Sequence, residues 1–146
     1  MGFSDAIKTV LTKKYATFSG RASRSEYWWF TLFVFLAIFV LAVPAMMTMD
    51  FATGTPSGLS MLLFGVFGIF YLAMFLPMLA VGVRRLHDRN MSGWWYLGFI
   101  ALSFVPVVGF LASIAMLVIF CLKGTVGDNR FGPDPLRPTA RADIFA

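Results

Sequence analysis

The residue types that could carry chemistry in this sequence sit in three short stretches. The middle one, residues 84–95, reads Arg-Arg-Leu-His-Asp-Arg-Asn-Met-Ser-Gly-Trp-Trp. Its adjacent His87 and Asp88 are the types used for metal ligation or acid–base work. His87 is the only histidine, however, and two neighbouring residues point in different directions, so a charged loop closed by ion pairs is the simpler reading. The last stretch, residues 124–135, is rich in Gly, Asp, Asn and Pro. It could cradle a phosphate, but its spacing is not that of a P-loop, and the same residues build a tight, ordered loop. In the first stretch, residues 18–30, Arg21 and Arg24 have the planar fork that matches lipid phosphate. Ser23 and Glu26 there have capping-box spacing, and Tyr27, Trp28 and Trp29 suit a membrane–water interface. An enzyme working at that interface would need Glu26, His87, Asp88, Asp128 and Asp134 to converge on a divalent ion. Nothing in their spacing requires that, so no catalytic residue, metal or cofactor is assigned. Arg21, Arg24, Arg84, Arg85 and Arg130 are the candidate lipid or anion ligands, and Glu26, His87, Asp88 and Asp128 the candidate polar network beside them.

The elements that must position these residues are set by composition. The chain has 146 residues, 59% of them hydrophobic and 13% charged. A soluble domain is about half apolar and about a quarter charged. A chain this short cannot hide so much apolar surface from water, so lipid is the solvent for part of it, in a single membrane domain. The net charge is +5. The basic residues flank apolar runs instead of forming a soluble patch, which points to topology and lipid headgroups and away from nucleic acid. Cys121 is the only cysteine, so no internal disulfide can form, and a small apolar role in a helix suits it. The first 27 residues are mostly polar and carry five basic residues, and a run of spanning length follows, so an internal anchor is expected and not a cleaved signal peptide.

Residues 1–17 form an amphipathic segment in which Met1 to Tyr15 read as a short helix capped by Ser4, with Phe3, Ile7, Val10 and Leu11 on one stripe. It would lie in the headgroup layer or pack on the protein itself. Residues 28–49 and 59–83 are each long enough for a bilayer, which needs about 20 residues. Pro44 is expected to kink or end the first and Pro77 to kink the second. A loop without Lys or Arg, 50–58, separates them, and a compact polar loop is expected over 84–93, with Ser92 capping the next helix. Residues 94–122 would make one helix about 44 Å long, too long for a usual tilt in a core of about 30 Å. Pro106 and Gly109 instead predict a turn between two shorter segments, 94–105 and 107–122, with Lys123 and Gly124 ending the second. Residues 136–146 read as a flexible tail. The fold class is therefore all-α and integral to the membrane. It has two long transmembrane helices plus a hairpin of two shorter ones, four segments preceded by an interfacial helix. That arrangement puts all twelve basic residues on one side, so both termini are expected in the cytoplasm.

Together the three stretches resemble the bacterial membrane family known as domain of unknown function 805 (DUF 805). The carrying elements are Phe-x-Gly-Arg-x-x-Arg-x-Glu-Tyr-Trp from Phe18, Arg-Arg-Leu-His-Asp followed by Ser-x-Trp-Trp from Arg84, and Gly-Thr-x-Gly-x-Asn-Arg-Phe-Gly-x-Asp-Pro from Gly124. The likeness covers residues 18 to about 135 and implies a small bacterial inner-membrane protein without an assigned activity. Residues 28–49, 59–83 and 94–122 hold no Asp, Glu, Lys, Arg or His, which disfavours an ion pathway. The expected function is non-enzymatic: binding of anionic phospholipid, or of a membrane partner or second copy, through the cytoplasmic face. A transporter or channel component stands second and an interfacial metal-dependent enzyme third.

Overall fold

The computed structural model describes residues 1–50 and 53–137; most of the expected tail, from 138 on, lies outside them. A short helix, α1 (Phe3–Lys8), widens into a π-helical stretch, Thr9–Lys13. The long helices α2 (Arg24–Met47) and α3 (Gly58–Asp88) follow, joined through a two-residue antiparallel ribbon of β1 (Met49–Asp50) and β2 (Thr55–Pro56) with Asp50 opposite Thr55. Two shorter helices, α4 (Trp94–Ser103) and α5 (Val108–Cys121), complete the described chain.

Each long helix starts on a serine. The Ser23 hydroxyl accepts the Glu26 N–H at 3.2 Å and the Ser57 hydroxyl accepts the Ser60 N–H at 3.1 Å. Neither proline ends its helix: α2 continues past Pro44 to Met47, and α3 runs through Pro77. The carbonyl that Pro77 cannot serve is that of Ala73, four residues earlier. The Tyr15 hydroxyl donates to it.

Three local expectations change. Residues 84–88, expected in a loop, are the last turn of α3, and only 89–93 connect it to α4. Hydropathy marked the end of the apolar run, but the polar residues beyond it are buried and paired, so the helix continues. Ser4 lies inside α1 and does not cap it; the N-cap is Gly2, with no side-chain bond. Gly124 does not stop α5, which ends at Cys121 with Leu122 extended.

α2 and α3 run antiparallel, since the Ala22 N–H donates to the Arg84 carbonyl at 3.0 Å and Phe30 packs with Val81 and Leu86 in one core. α4 and α5 form a hairpin: Tyr96, near the start of α4, stacks on Phe120, near the end of α5, at 6.0 Å. Gly109 lets the arms meet, because a Cβ there would stand 2.6 Å from the Ser103 carbonyl oxygen. Ala6 and Val10 are buried, Val10 in the same core, and Phe3 meets Trp29 edge-on at 5.8 Å. The core, which includes Ala22, Tyr27, Phe30, Leu86, Tyr96 and Phe120, thus gathers at the end where α2 starts and α3 finishes. Elsewhere α2 and α3 turn large side chains outward: Phe35, Phe39, Val40, Ile69 and Leu72 are all exposed. Most of the apolar windows of both long helices is exposed in this way, which suits lipid and would be unusual for the core helices of a soluble protein.

Candidate functional site

The three motif stretches meet at this end of the bundle. Arg21 precedes α2, Arg84, Arg85 and Asp88 form the last turn of α3, and residues 124–135 fold back over them. Asp88 is the hub. Its Oδ1 accepts from Arg21 Nε at 3.0 Å and lies 2.9 Å from Arg21 Nη2, while Arg85 Nη1 donates to Oδ2. Its main-chain carbonyl accepts the Thr125 N–H at 2.8 Å and the Thr125 hydroxyl at 3.0 Å. A Cβ on Gly124 would stand 2.0 Å from Asp88 Oδ2, so only glycine lets the tail lie this close. Arg84 forms a second buried pair with Glu26, leaving its Nε and Nη2 without a partner among the described residues.

The arginines also serve helix ends. The last carbonyls of a helix have no intrahelical donor and carry partial negative charge. At α5, Arg85 donates to the carbonyls of Phe120 and Leu122, Arg24 approaches that of Cys121 at 3.5 Å, and Arg89 donates to that of Lys123. At α3, Asn129 Nδ2 donates to the His87 carbonyl at 2.9 Å and Arg130 to that of Asn90 at 3.1 Å. Arg21 reaches the tail loop as well, donating to the carbonyls of Gly127 at 2.6 Å and Thr125 at 2.5 Å.

His87 is half-buried and takes no acid–base partner. Its Nδ1 lies 3.1 Å from the Gly20 carbonyl oxygen, which can only accept, so Nδ1 carries the proton. The ring stacks flat on Phe131 at 4.0 Å, and the Arg130 guanidinium stands 4.7 Å from the same phenyl ring. Gly93 is held beside this ring and Val83, where a Cβ would be 2.6 Å from Val83 Cγ1. In the tail loop, Asp134 accepts the N–H groups of Leu136 at 2.9 Å and Gly127 at 3.1 Å. Those bonds hold its carboxyl below the usual carboxylate range against the opposing effect of burial, and Arg21 and Arg137 add to the lowering.

Little room is left beside Asp88, whereas an open cleft of about 340 Å³ lies on the His87 side, lined by Phe18, Leu79, Val83, Ser92, Trp94 and Tyr96. The cavity beside Asp88, walled by Ser23, Arg24, Lys123 and Asp134, has a volume of about 30 Å³, enough for one water. Among the described residues no three His, Cys, Asp or Glu side chains gather as a metal site would require. What the arrangement does chemically is neutralise buried charge and terminate helices.

Residues 15–133 match the family described as protein of unknown function (DUF805). The chain belongs to the DUF805 family. Two curated relatives from Escherichia coli K12 are similar over 84% of this chain. Inner membrane protein YhaI is 45% identical over 89% of its own length, and inner membrane protein YhaH is 40% identical over 90% of its length. No solved structure matches.

Of the candidate residues, this DUF805 chain brings Arg21, Arg85 and Asp88 into one cluster, Arg84 and Glu26 into another, and His87 against Gly20 and Phe131. Arg21, Arg84 and Arg85 are buried and spend donors on the protein itself. Arg24 and Arg130 stay exposed at the edge, and exposed Asp128 lies outside the network. The capping box is half made, because the Glu26 carboxylate goes to Arg84 instead of the backbone. Ser92 does not cap α4 as expected: Gly93 holds the N-cap position without a side-chain bond, and the Ser92 hydroxyl meets the Trp94 N–H only at 3.4 Å. From the sequence Gly124 has only a helix-stop role, and neither Thr125 nor Asn129 is singled out. The signal was available in a glycine and two short polar side chains with turn geometry, but their partners are main-chain carbonyls of α3, which no sequence pattern names.

Proposed function

We propose that this DUF805 chain is a multi-pass bacterial inner-membrane protein, with both termini cytoplasmic, that catalyses no reaction and engages anionic phospholipid along the rim of its capped end. The division of the basic residues supports this reading. Arg21, Arg84 and Arg85 are buried against Asp88 and Glu26, whereas Arg24, Lys123, Arg130 and Arg137 at the same end are exposed and have no carboxylate within ion-pair distance among the described residues. Exposed Trp29, Trp94 and Trp95 belong to the same region and suit headgroup depth. A positive rim beside aromatic anchors attracts the anionic leaflet, at about 1 kcal/mol per Lys or Arg near the surface. The inner-membrane location rests on the relatives' names, and the cytoplasmic side on the basic bias. α1 and the π-helical stretch after it complete the picture, seating Ala6 and Val10 on the bundle and turning Lys8 and Lys13 outward.

The test is retention of phosphatidylglycerol by the full chain purified in mild detergent, with Arg24→Gln and Lys123→Gln combined against the parent. The expected result is several-fold less bound phosphatidylglycerol with unchanged folding. Equal retention would remove the lipid reading. A fluorescent protein fused after Ala146 should glow and a periplasm-active phosphatase there should stay silent; the reverse would overturn the topology.

A further inference from the structure

Away from the capped end the molecule has two turns of opposite character. The connection from α2 to α3 is polar, with Asp50, Thr53, Thr55 and Ser57, and the Thr53 hydroxyl donates to Asp50. The turn from α4 to α5 runs Phe104-Val105-Pro106-Val107 and has no polar side chain. Phe104 is 82% exposed and Val107 75% exposed, so no other part of the described chain covers this tip.

Helix lengths give the two turns different depths. At 1.5 Å per residue α2 is about 36 Å long and α3 about 46 Å, against a hydrocarbon core of about 30 Å. By the same rise α4 is about 15 Å and α5 about 21 Å. Both short helices begin or end at the capped end, where Arg85 holds the end of α5 and the short loop after Asp88 holds the start of α4. Starting there, they finish well short of the far surface.

Irregular backbone inside lipid must satisfy its own polar groups. This turn largely does. The N–H groups of Val105, Val108, Gly109 and Leu111 donate to the carbonyls of Leu102, Pro106, Val105 and Val107, and Pro106 has no N–H to satisfy.

We propose that α4–α5 is a re-entrant hairpin whose tip ends among the acyl chains, and that it makes the chain a wedge, broad in the leaflet of the capped end and narrow in the other. Four helix ends and α1 share the first leaflet; only α2 and α3 continue through the second. The lipid that fits this shape is a bilayer curved so that the leaflet of the capped end is expanded. The inference rests on membrane insertion alone, not on the charge of the lipid or on which side the capped end faces.

Two measurements test it on the full chain with Cys121→Ser. In the first, Thr53→Cys and Val107→Cys are treated with a membrane-impermeant maleimide in spheroplasts and in inside-out vesicles. Thr53→Cys should label from one side, and Val107→Cys from neither until detergent is added. Labelling of Val107→Cys from either side without detergent would overturn the re-entrant hairpin. Labelling of Thr53→Cys from the cytoplasmic side would overturn the proposed topology and leave the hairpin standing. In the second, the protein is reconstituted into small sonicated and large extruded vesicles of one composition, and its orientation is read by labelling Lys123→Cys. The broad end should face outward in excess in the small vesicles and less so in the large ones, as a shape-dependent preference between two states implies. Equal orientation in both sizes would overturn the wedge.

Discussion

Asp88→Asn isolates the charge that holds the capped end together. The side chain keeps its shape but loses its charge and presents an N–H₂ group to a guanidinium. Arg21 and Arg85 would stay in place with side-chain exposures of 1% and 0% and no anion between them. Removing one partner of a buried ion pair costs about 3–5 kcal/mol, most of it the stranding of the other charge. Two cations are stranded here, but each keeps carbonyl acceptors, Arg21 those of Thr125 and Gly127 and Arg85 those of Phe120 and Leu122. The expected loss is therefore near the lower figure, about 3 kcal/mol, or roughly a hundredfold in the folding equilibrium. It can be measured by unfolding the protein in mixed micelles with increasing dodecyl sulfate and following the four tryptophans, Trp28, Trp29, Trp94 and Trp95. Adding Arg21→Met should recover part of the loss, because it removes one stranded cation. A loss under about 1 kcal/mol, the scale of an exposed pair, would show that the hub carries no more weight than a surface salt bridge.

Gly124→Ala puts a methyl group 2.0 Å from Asp88 Oδ2, so the tail must lift and release the Thr125 N–H from the Asp88 carbonyl; amide exchange at Thr125 should rise about tenfold or more, and no change would mean the contact yields freely. Because the folded Asp134 carboxyl is held below its usual value, its contribution is complete above about pH 3.9, the unfolded carboxylate value, and is lost as pH falls further through the lowered folded value. Amide exchange at Gly127 and Leu136, corrected for intrinsic pH dependence, should speed up below that point in the parent, and Asp134→Asn should abolish the pH step. Tyr15→Phe removes the donor to the Ala73 carbonyl, with a net cost of about 0.5–1.5 kcal/mol, and should make residues 1–17 easier to cleave with protease. Pro77→Ala alone should raise the same cleavage, since an alanine there supplies an N–H that competes with Tyr15 for the Ala73 carbonyl; no increase would show that the tyrosine bond does not hold the segment.

The long helices were legible in the sequence because lipid demands long apolar runs, and the break near Pro106 because one helix of that length does not fit the bilayer. The end of α3 was not legible. Hydropathy falls at Arg84, yet Arg84, Arg85 and Asp88 are buried in the last turn of the helix, so the rule that polarity marks the exit from the membrane fails where charges neutralise one another inside the protein. The motif residues were legible as a group, but their roles were not. Arg21, Arg24, Arg84 and Arg85 look alike as forks for phosphate. Which of them stay free depends on the position of Asp88, Glu26 and the carbonyls of α5, and those contacts span dozens of residues.

The same geometry redirects the search for activity. A helix that ends near the headgroups leaves its last carbonyls without donors, and α3 and α5 both end beside the start of α2. Lysine could supply charge there but not the fan of N–H groups that lets Arg85 meet a carboxylate and two carbonyls at once. Asp88 and Glu26 then supply the charge balance, Gly124 the close approach, and Asn129 and Thr125 the donors for the end of α3. Each chemically suggestive residue at the centre thus has a partner within the chain, and the space left beside Asp88 holds one water. Larger molecules have room outside that cavity: the cleft of about 340 Å³ beside His87, the exposed basic rim of Arg24, Lys123 and Arg130, the tryptophans beside it, and the apolar hairpin that the other described residues leave uncovered.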